Sequence, residues 1–521
     1  MNEGFADPSL RPLGYRAEMF IFYHLLQMEL VIEYYYISMD ENQQSQQQGR
    51  GQPLGIPGVI SQAPSPVIPA VVAVSGTATS PISTSKSGGK LKILMLVLVM
   101  LVLVLVGTGG VWWWLNREDV EETVTINYWG LWEPEEVMQP LLDQYMSANP
   151  KVKVNYVANS PEQYRQRLSN QLSLENPEPD IFRFHNTWLP MMAKSMALVP
   201  ANAYSVEEYK KIFYPVIQRS LIFGDGFVGI PLYVDGLALF YNEDLFTLGN
   251  QIPPEDWVQF RNVAKKLTVR DQNKNIRVSG VALGNARNVD HWQDIFSLMM
   301  LQTGANPAAP NGQRGQEALT FYSAFTRVDK VWDDTLPNST LAFATGKLAM
   351  YLGPARAISE INDLAKENGY NLRFKVRPVP QLPESNVTWS SFWAEGVSVK
   401  SSTAEQQAAW DLLAYLSEKS TLEQLYQLQV SDRGFGMPYS RMDMAEQLNS
   451  HPQIGAFVLQ LPAAKSWFMV SDTTDIDGIN DRINKVYRMA INEIAASGNA
   501  SRAFKKVQSD VPKILGSYGI K

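Results

Sequence analysis

Residues 227–246 read FVGIPLYVDGLALFYNEDLF, and the fold turns on how this stretch is divided. Apolar residues run from Val228 to Tyr233, break at Asp235 and resume from Leu237 to Tyr241. Two buried strands then meet with almost no loop. Connections usually take a few residues and mark themselves with Gly, Asn or Asp, so this join predicts a chain passing from one sheet into another, which implies two lobes with a cleft between them. One long bent strand in a single sheet is the other way to divide it.

Immediately upstream, Gly224-Asp-Gly226-Phe-Val-Gly229 fits the G-x-G-x-x-G pattern. Dinucleotide binding needs that pattern after a strand and opening a helix. Here it precedes a strand, so Asp225-Gly226 reads as a hairpin turn and no cofactor is expected.

Further upstream, Val124–Trp129 predicts a strand, Gly130–Glu133 a loop, and a helix follows with Pro134 in its first turn and Glu135 and Glu136 at the positive end of its dipole. Strands at Lys151–Val157 and Asp180–Phe184 flank a helix at Pro161–Leu174. Alternation of this kind predicts a mainly parallel sheet whose ligands sit beyond the strands' carboxyl ends. That makes Gly130–Glu133 and His185–Trp188 candidate cleft loops.

Downstream, PPEDWVQFRNVAKKLT (Pro253–Thr268) is an amphipathic helix with Trp257, Phe260, Val263, Ala264 and Leu267 on one face. TLAFATGKLAMYLGP (Thr340–Pro354) gives a small helix, a turn, a buried strand and a Gly-Pro break. Strands at Arg373–Val379 and Glu395–Val399 and a helix at Glu405–Leu416 follow, and the chain ends in helices.

At 521 residues, with 45% apolar and 19% charged residues, the chain has an ordinary globular core and something extra at its N-terminal side. From Ile93 to Leu115 the run ILMLVLVMLVLVLVGTGGVWWWL carries no charge. As a helix it is roughly 34 Å long, against about 30 Å of hydrocarbon. Lys86, Lys90 and Lys92 precede it and Glu118, Asp119, Glu121 and Glu122 follow, which predicts a single span with a cytoplasmic N-terminus. The run is too long for a signal h-region and no small-x-small cleavage site follows, so an uncleaved anchor is expected. With no cysteine there is neither a lipid-bearing Cys nor a disulfide.

The expected organisation is a low-complexity cytoplasmic tail (1–90), a transmembrane anchor (91–115), a linker (116–122) and one extracellular domain (123–521). Residues 40–90 are rich in Gln, Pro, Ser and Thr and predict disorder. The abrupt change of composition at Met39 suggests that translation begins there. The net charge of −7 is mild and no basic stripe is interleaved with aromatics, so nucleic acid is not an expected partner.

Three stretches, VGIPLYVDGLALFYNEDLF, PPEDWVQF and FATGKLAMYLGP, resemble in order and spacing the extracellular solute-binding proteins of ABC importers, in the group typified by maltose-binding protein. The similarity covers about Val124 to the C-terminus. It implies an α/β, two-lobed periplasmic-binding-protein-like fold of type II that closes on a ligand, with ABC permease subunits and a small-molecule solute, a mono- or oligosaccharide first, as partners. Mapped onto this chain, lobe one is about 123–236 and 371–420 and lobe two about 237–370 and 421–521, with crossings near Asp235 and Tyr370. One departure concerns the site: in maltose-binding protein a sugar-stacking Trp follows the Gly-Pro break, whereas Ala355 and Arg356 follow Gly353-Pro354 here. The stacking group must then come from elsewhere.

Sugars present apolar CH faces and hydroxyl edges, so a sugar site needs flat rings and polar side chains together. The cleft loops supply Trp129, Trp132, Trp188, Tyr233, Trp292 and Trp393 beside Glu133, Asn186, Asp235, Asn285, Arg356, Glu395 and Arg433. Core packing is the commoner role of any one tryptophan. Trp132, Trp188 and Trp393 stand out because each lies in or next to a polar loop.

Other chemistries have less support. His185, His291 and His451 show no i, i+4 spacing and there is no cysteine, so no metal site is expected. Asp475-Ile-Asp477-Gly478 has Thr473 and Asn484 where a calcium loop requires Asp and Glu, and reads as a helix start. No G-x-S-x-G elbow occurs. Glu133, Asp235, Asp290 and Glu395 leave an anchored glycan hydrolase as the alternative, and a surface module that keeps the fold without transport as a third; a non-enzymatic binding protein is the expectation.

Overall fold

Valine, isoleucine and aromatics alternating along 124–131 build the first strand, and the computed structural model places it at the centre of one of two main sheets. Residues 95–105, 107–108, 123–310, 312–474 and 477–520 are described. The chain divides into two units, 1–109 and 110–521. In the first, residues 95–105 are helical and exposed. Among the described residues no helix is long and apolar enough to cross a membrane. The tail, the linker, the rest of the apolar run apart from residues 107–108, and Asp475 and Ile476 lie outside the described residues.

In the second unit β1 (Val124–Leu131), β2 (Val152–Asn159) and β3 (Ile181–His185) alternate with helices Glu135–Ala148 and Tyr164–Ser173. A hairpin of β4 (Ile222–Phe223) and β5 (Gly226–Phe227) follows; its turn residues are Gly224 and Asp225, with Gly224 at φ +57°. Then come β6 (Asp235–Gly236), β7 (Ala238–Asn242), β8 (Val269–Arg270), β9 (Ile276–Val281), β10 (Leu348–Gly353), β11 (Phe374–Arg377), β12 (Thr388–Ser391), β13 (Trp393–Val397) and β14 (Ala464–Lys465).

The first sheet has the order β13-β3-β1-β2, parallel except for β13. The second has the order β11-β7-β10-β9-β8, with β7 antiparallel to both neighbours. A small sheet, β14-β12-β6, lies at the chain crossing.

The stretch 227–246 does pass from one sheet to the other, although its first half is not a regular strand. Ile230 exchanges both backbone hydrogen bonds with Glu395 of β13, Val234 N donates to the Pro438 carbonyl, and β7 then enters the second sheet. Pro231 has no N–H to offer a ladder, which leaves isolated bridges on either side of it. Gly236 is required by close approach: a Cβ there would sit 2.6 Å from the Trp389 carbonyl oxygen.

Two boundaries of the expected lobes need correction. β11 pairs with β7 in the second sheet, where Lys375 pairs with Glu243 at 2.8 Å, so the chain returns to the first lobe at β12–β13 and not near Tyr370. Helix Lys419–Arg433 packs on helix Glu135–Ala148 of the first lobe, burying Leu422, Leu425 and Tyr426, so that lobe extends beyond residue 420. The terminal helices, Ile479–Ser497 and Ala500–Ser517, pack on Gln313–Arg327 of the second lobe.

Candidate functional site

A cavity of about 250 Å³ opens where the two main sheets face the crossing. Of the residues that line it, Trp132 follows the carboxyl end of β1, His185 is the last residue of β3, and β13 gives Trp393. Tyr233 and Asp235 come from the crossing itself, Arg356 from the turn after β10, and Arg433, Phe435, Met437, Ser471 and Asp472 from the C-terminal part.

The aromatic side is a linked stack. Trp132 and Trp393 lie 5.8 Å apart at 69°, and Trp393 stands edge-on to Trp188 at 5.0 Å and to His185 at 5.1 Å. Trp188 is fully buried and forms the backing of the stack, whereas Trp132 is 44% exposed. Trp132 also has φ +73°, a left-handed conformation that costs a non-glycine residue roughly 1–2 kcal/mol. Strain of that size concentrates at ligand clamps.

The polar side is built on Asp235. Its Oδ1 accepts from the N–H groups of Gly236 (2.7 Å) and Ala355 (2.8 Å), and its Oδ2 lies 3.9 Å from Arg356 Nε. Burial raises its pKa, and Arg356 and the backbone donors offset part of that. Arg356 also pairs with Asp472, whose carboxyl is held well below the usual range because Arg356 and His291 outweigh the effect of burial. His291 Nδ1 lies 3.2 Å from Asp472 and 3.0 Å from Ser471 Oγ. This chain of charges joins the crossing, the second lobe and the C-terminal part.

Of the residues expected at the site, Trp132, Tyr233, Asp235, Arg356, Trp393 and Arg433 line the cavity. The others are placed differently. Trp129 and Trp188 are core residues. Glu133 is buried and accepts from Gln429 Nε2 (3.0 Å) and from both terminal nitrogens of Arg433 (3.2 and 3.3 Å), so it orients Arg433. Glu395 is buried in an ion pair with Arg183 (Nε to Oε1 2.7 Å), and Arg183 donates also to the Leu131 carbonyl and to Tyr233 Oη. Asn186 bridges Ser466 (2.9 Å) and Phe392 N (3.2 Å). Asn285 ties Asn288 and Asp334 within the second lobe. Trp292 is buried there too, with Arg488 over its ring at 5.8 Å.

Among the four carboxylates considered for hydrolysis only Asp235 lines the cavity; Asp290 is occupied by Ser339 and Thr340. His185 stood in the expected cleft loop His185–Trp188 without being named a site residue, and it is the last residue of β3; Ser391, Phe392, Phe435, Met437, Ser471 and Asp472 were not anticipated. Ser471 and Asp472 carry no signal of their own and arrive from a segment remote in the chain.

Two α/β lobes joined by crossings around a cavity of rings and charges define the two-lobed class of small-molecule binding proteins. The chain belongs to the bacterial extracellular solute-binding protein family, whose sequence model matches residues 141–455. The diacetylchitobiose-binding protein DasA of Streptomyces coelicolor is 23% identical over 239 residues, 43% of this chain and about half (54%) of that protein's length. A putative binding protein of Brucella abortus is 20% identical over 349 residues, 63% of this chain and 80% of the relative. Among solved structures, the sugar-binding protein MalE of Xanthomonas citri superposes with a TM-score of 0.61 at 18% identity, covering 76% of this chain and 98% of the other. UgpB of Mycobacterium tuberculosis, solved with glycerophosphocholine, does so with a TM-score of 0.59 at 13% identity, covering 76% and 100%. At these identities the structural likeness establishes the fold.

Proposed function

We propose that this chain is a membrane-anchored extracellular solute-binding protein that captures a mono- or oligosaccharide and delivers it to an ABC permease. The observation that carries the sugar reading is the Trp132–Trp393 pair, which offers ring faces in the same cavity as Asp235, Arg356 and Asp472. Apolar CH faces pack on the rings and hydroxyls exchange hydrogen bonds with the charged groups. The pair also supplies the stacking surface that Ala355 and Arg356 cannot. Sugar ligands in the names of several relatives, diacetylchitobiose and maltose among them, support the same class. Binding across the cleft favours the closed arrangement because contacts from both lobes exist only there. The apolar run Ile93–Leu115, with lysines before it and acidic residues after it, supports the anchor and the outward orientation of the binding domain.

Thermal shift on the full chain in detergent micelles tests the ligand class with diacetylchitobiose, maltose, maltotetraose and glycerophosphocholine. A saccharide at about 100 times its dissociation constant adds roughly 2.7 kcal/mol to stability. A shift with glycerophosphocholine and with no sugar would overturn the saccharide reading.

A further inference from the structure

His185 ends β3 opposite Trp393 on β13, and its ring lines the cavity. The backbone N–H of Thr187 donates to His185 Nδ1 at 3.3 Å, and a ring nitrogen that accepts does not carry the proton. The Thr187 hydroxyl, 2.7 Å from the same Nδ1, is fixed from its other side. Asn480 Nδ2 lies 2.8 Å from Thr187 Oγ1 and 2.9 Å from the Phe468 carbonyl oxygen. A carbonyl only accepts, so this end of the Asn480 amide is its NH₂ group and donates to both. A hydroxyl oxygen can accept twice, so the Thr187 N–H decides: with Nδ1 accepting from it, the hydroxyl hydrogen is the one shared with Nδ1 and the imidazole proton sits on Nε2. That nitrogen has no protein partner among the described residues. Burial, reinforced by the Arg356 charge and partly countered by Asp472, holds the His185 pKa down to about 3, so the ring is neutral.

We propose that His185 is a fixed, neutral hydrogen-bond donor to the solute, presenting Nε2–H to an acceptor oxygen, and that Thr187 and Asn480 are the positioning residues that hold this tautomer. Nothing in the donor favours a cationic ligand, since an ammonium group has no lone pair to offer. A sugar hydroxyl does: it accepts from Nε2–H and keeps its own hydrogen for Asp235 or Asp472. The acceptor's class rests on the saccharide reading above; the tautomer does not. Asn480 opens the helix Ile479–Ser497 of the second lobe while Thr187 and His185 belong to the first. The donor is thus set by a bond between the lobes.

The chain has four histidines, so ¹⁵N-histidine labelling of the full chain in detergent micelles gives few ring signals. One of them, assigned by its loss in His185→Phe, is expected to show the Nε2–H pattern unchanged from pH 5 to 8 without ligand. Thr187→Val is expected to release that pattern into tautomer exchange or titration, and Thr187→Ser to restore it. Calorimetry with diacetylchitobiose and maltotetraose supplies the second readout. His185→Phe, which keeps a ring beside Trp393, is expected to weaken binding about tenfold, and His185→Gln, which keeps a donor, by about threefold or less. An Nδ1–H pattern, titration of His185 near its ordinary value, or unchanged affinity in His185→Phe would overturn the proposal. Absence of binding of either sugar counts against the saccharide reading, while a pH-invariant Nε2–H pattern in the same sample upholds the donor.

Discussion

Trp132 shows how a cavity residue, here proposed to bind the solute, differs from a core residue of the same type. It is 44% exposed in a left-handed conformation, so the fold gains little by it and loses some stability to backbone strain. Trp132→Gly relieves that strain and gives up one edge-to-face contact with Trp393, two effects of about 1 kcal/mol each and opposite sign. Unfolding in urea is expected to place the variant within roughly 1 kcal/mol of the parent, while its affinity for the saccharide falls at least about tenfold, a loss typical of one good aromatic contact. A large loss of stability would instead make Trp132 a packing residue. Asp294 offers a test of the charge network. Its carboxyl is buried and its pKa is pushed up to about 6, and Ser471 Oγ lies 2.5 Å from it and 2.7 Å from Asp472. One hydroxyl hydrogen cannot serve two carboxylates, so a protonated Asp294 completes the set. An acid whose folded pKa exceeds its unfolded value binds more protons when folded, and its contribution to stability falls as pH rises from about 4 to 6. Relative to the parent, Asp294→Asn is expected to gain on the order of 3 kcal/mol across that window. Parallel curves of Tm against pH for the two proteins would remove Asp294 from this role.

Secondary elements were largely legible because their periods are local properties. β1, β3, β10 and helix Trp257–Leu267 follow from short apolar runs and helical spacing, and Asp256 caps that helix, its side chain accepting from Gln259 N at 2.8 Å. Partners were less legible. β11 alternates as a strand should, but nothing in FKVR says which sheet takes it. Glu395 illustrates the same limit at the β3–β13 pair. A carboxylate beside Trp393 reads as a ligand group, yet Arg183 from the neighbouring strand neutralises it inside the sheet. Glu395→Ala leaves Arg183 buried without its counter-charge and is expected to cost about 3–5 kcal/mol. Chemical denaturation reads that loss, and an affinity defect in a fully stable variant would restore Glu395 to the cavity. Gly236→Ala is expected to destabilise by about 1–3 kcal/mol, since the added methyl meets the Trp389 carbonyl where β6 pairs with β12.

At the scale of the whole molecule the site depends on segments that sequence distance separates. Trp132, Asp235, Trp393 and Asp472 share one cavity although they span most of the extracellular domain. The proposed anchor is a property of a different kind, because membrane insertion follows from a continuous run of apolar residues. The chain is expected to stay in the membrane fraction after carbonate extraction, and release into the supernatant would argue against Ile93–Leu115 as a span. By itself the sequence determined the α/β character and the family resemblance, since each rests on local periodicity or on motifs in fixed order, and it left 227–246 with two divisions, between which the structure chose the passage between sheets. The tertiary structure alone decided which rings and charges meet. It sent Glu133 and Glu395 into buried ion pairs, brought Ser471 and Asp472 to the cavity, and set Asn480 on the Thr187 hydroxyl beside His185. The physical reason is that burial and pairing depend on neighbours in space: Glu395 and Arg183 lie 212 positions apart, Thr187 and Asn480 293, and Glu133 and Arg433 300.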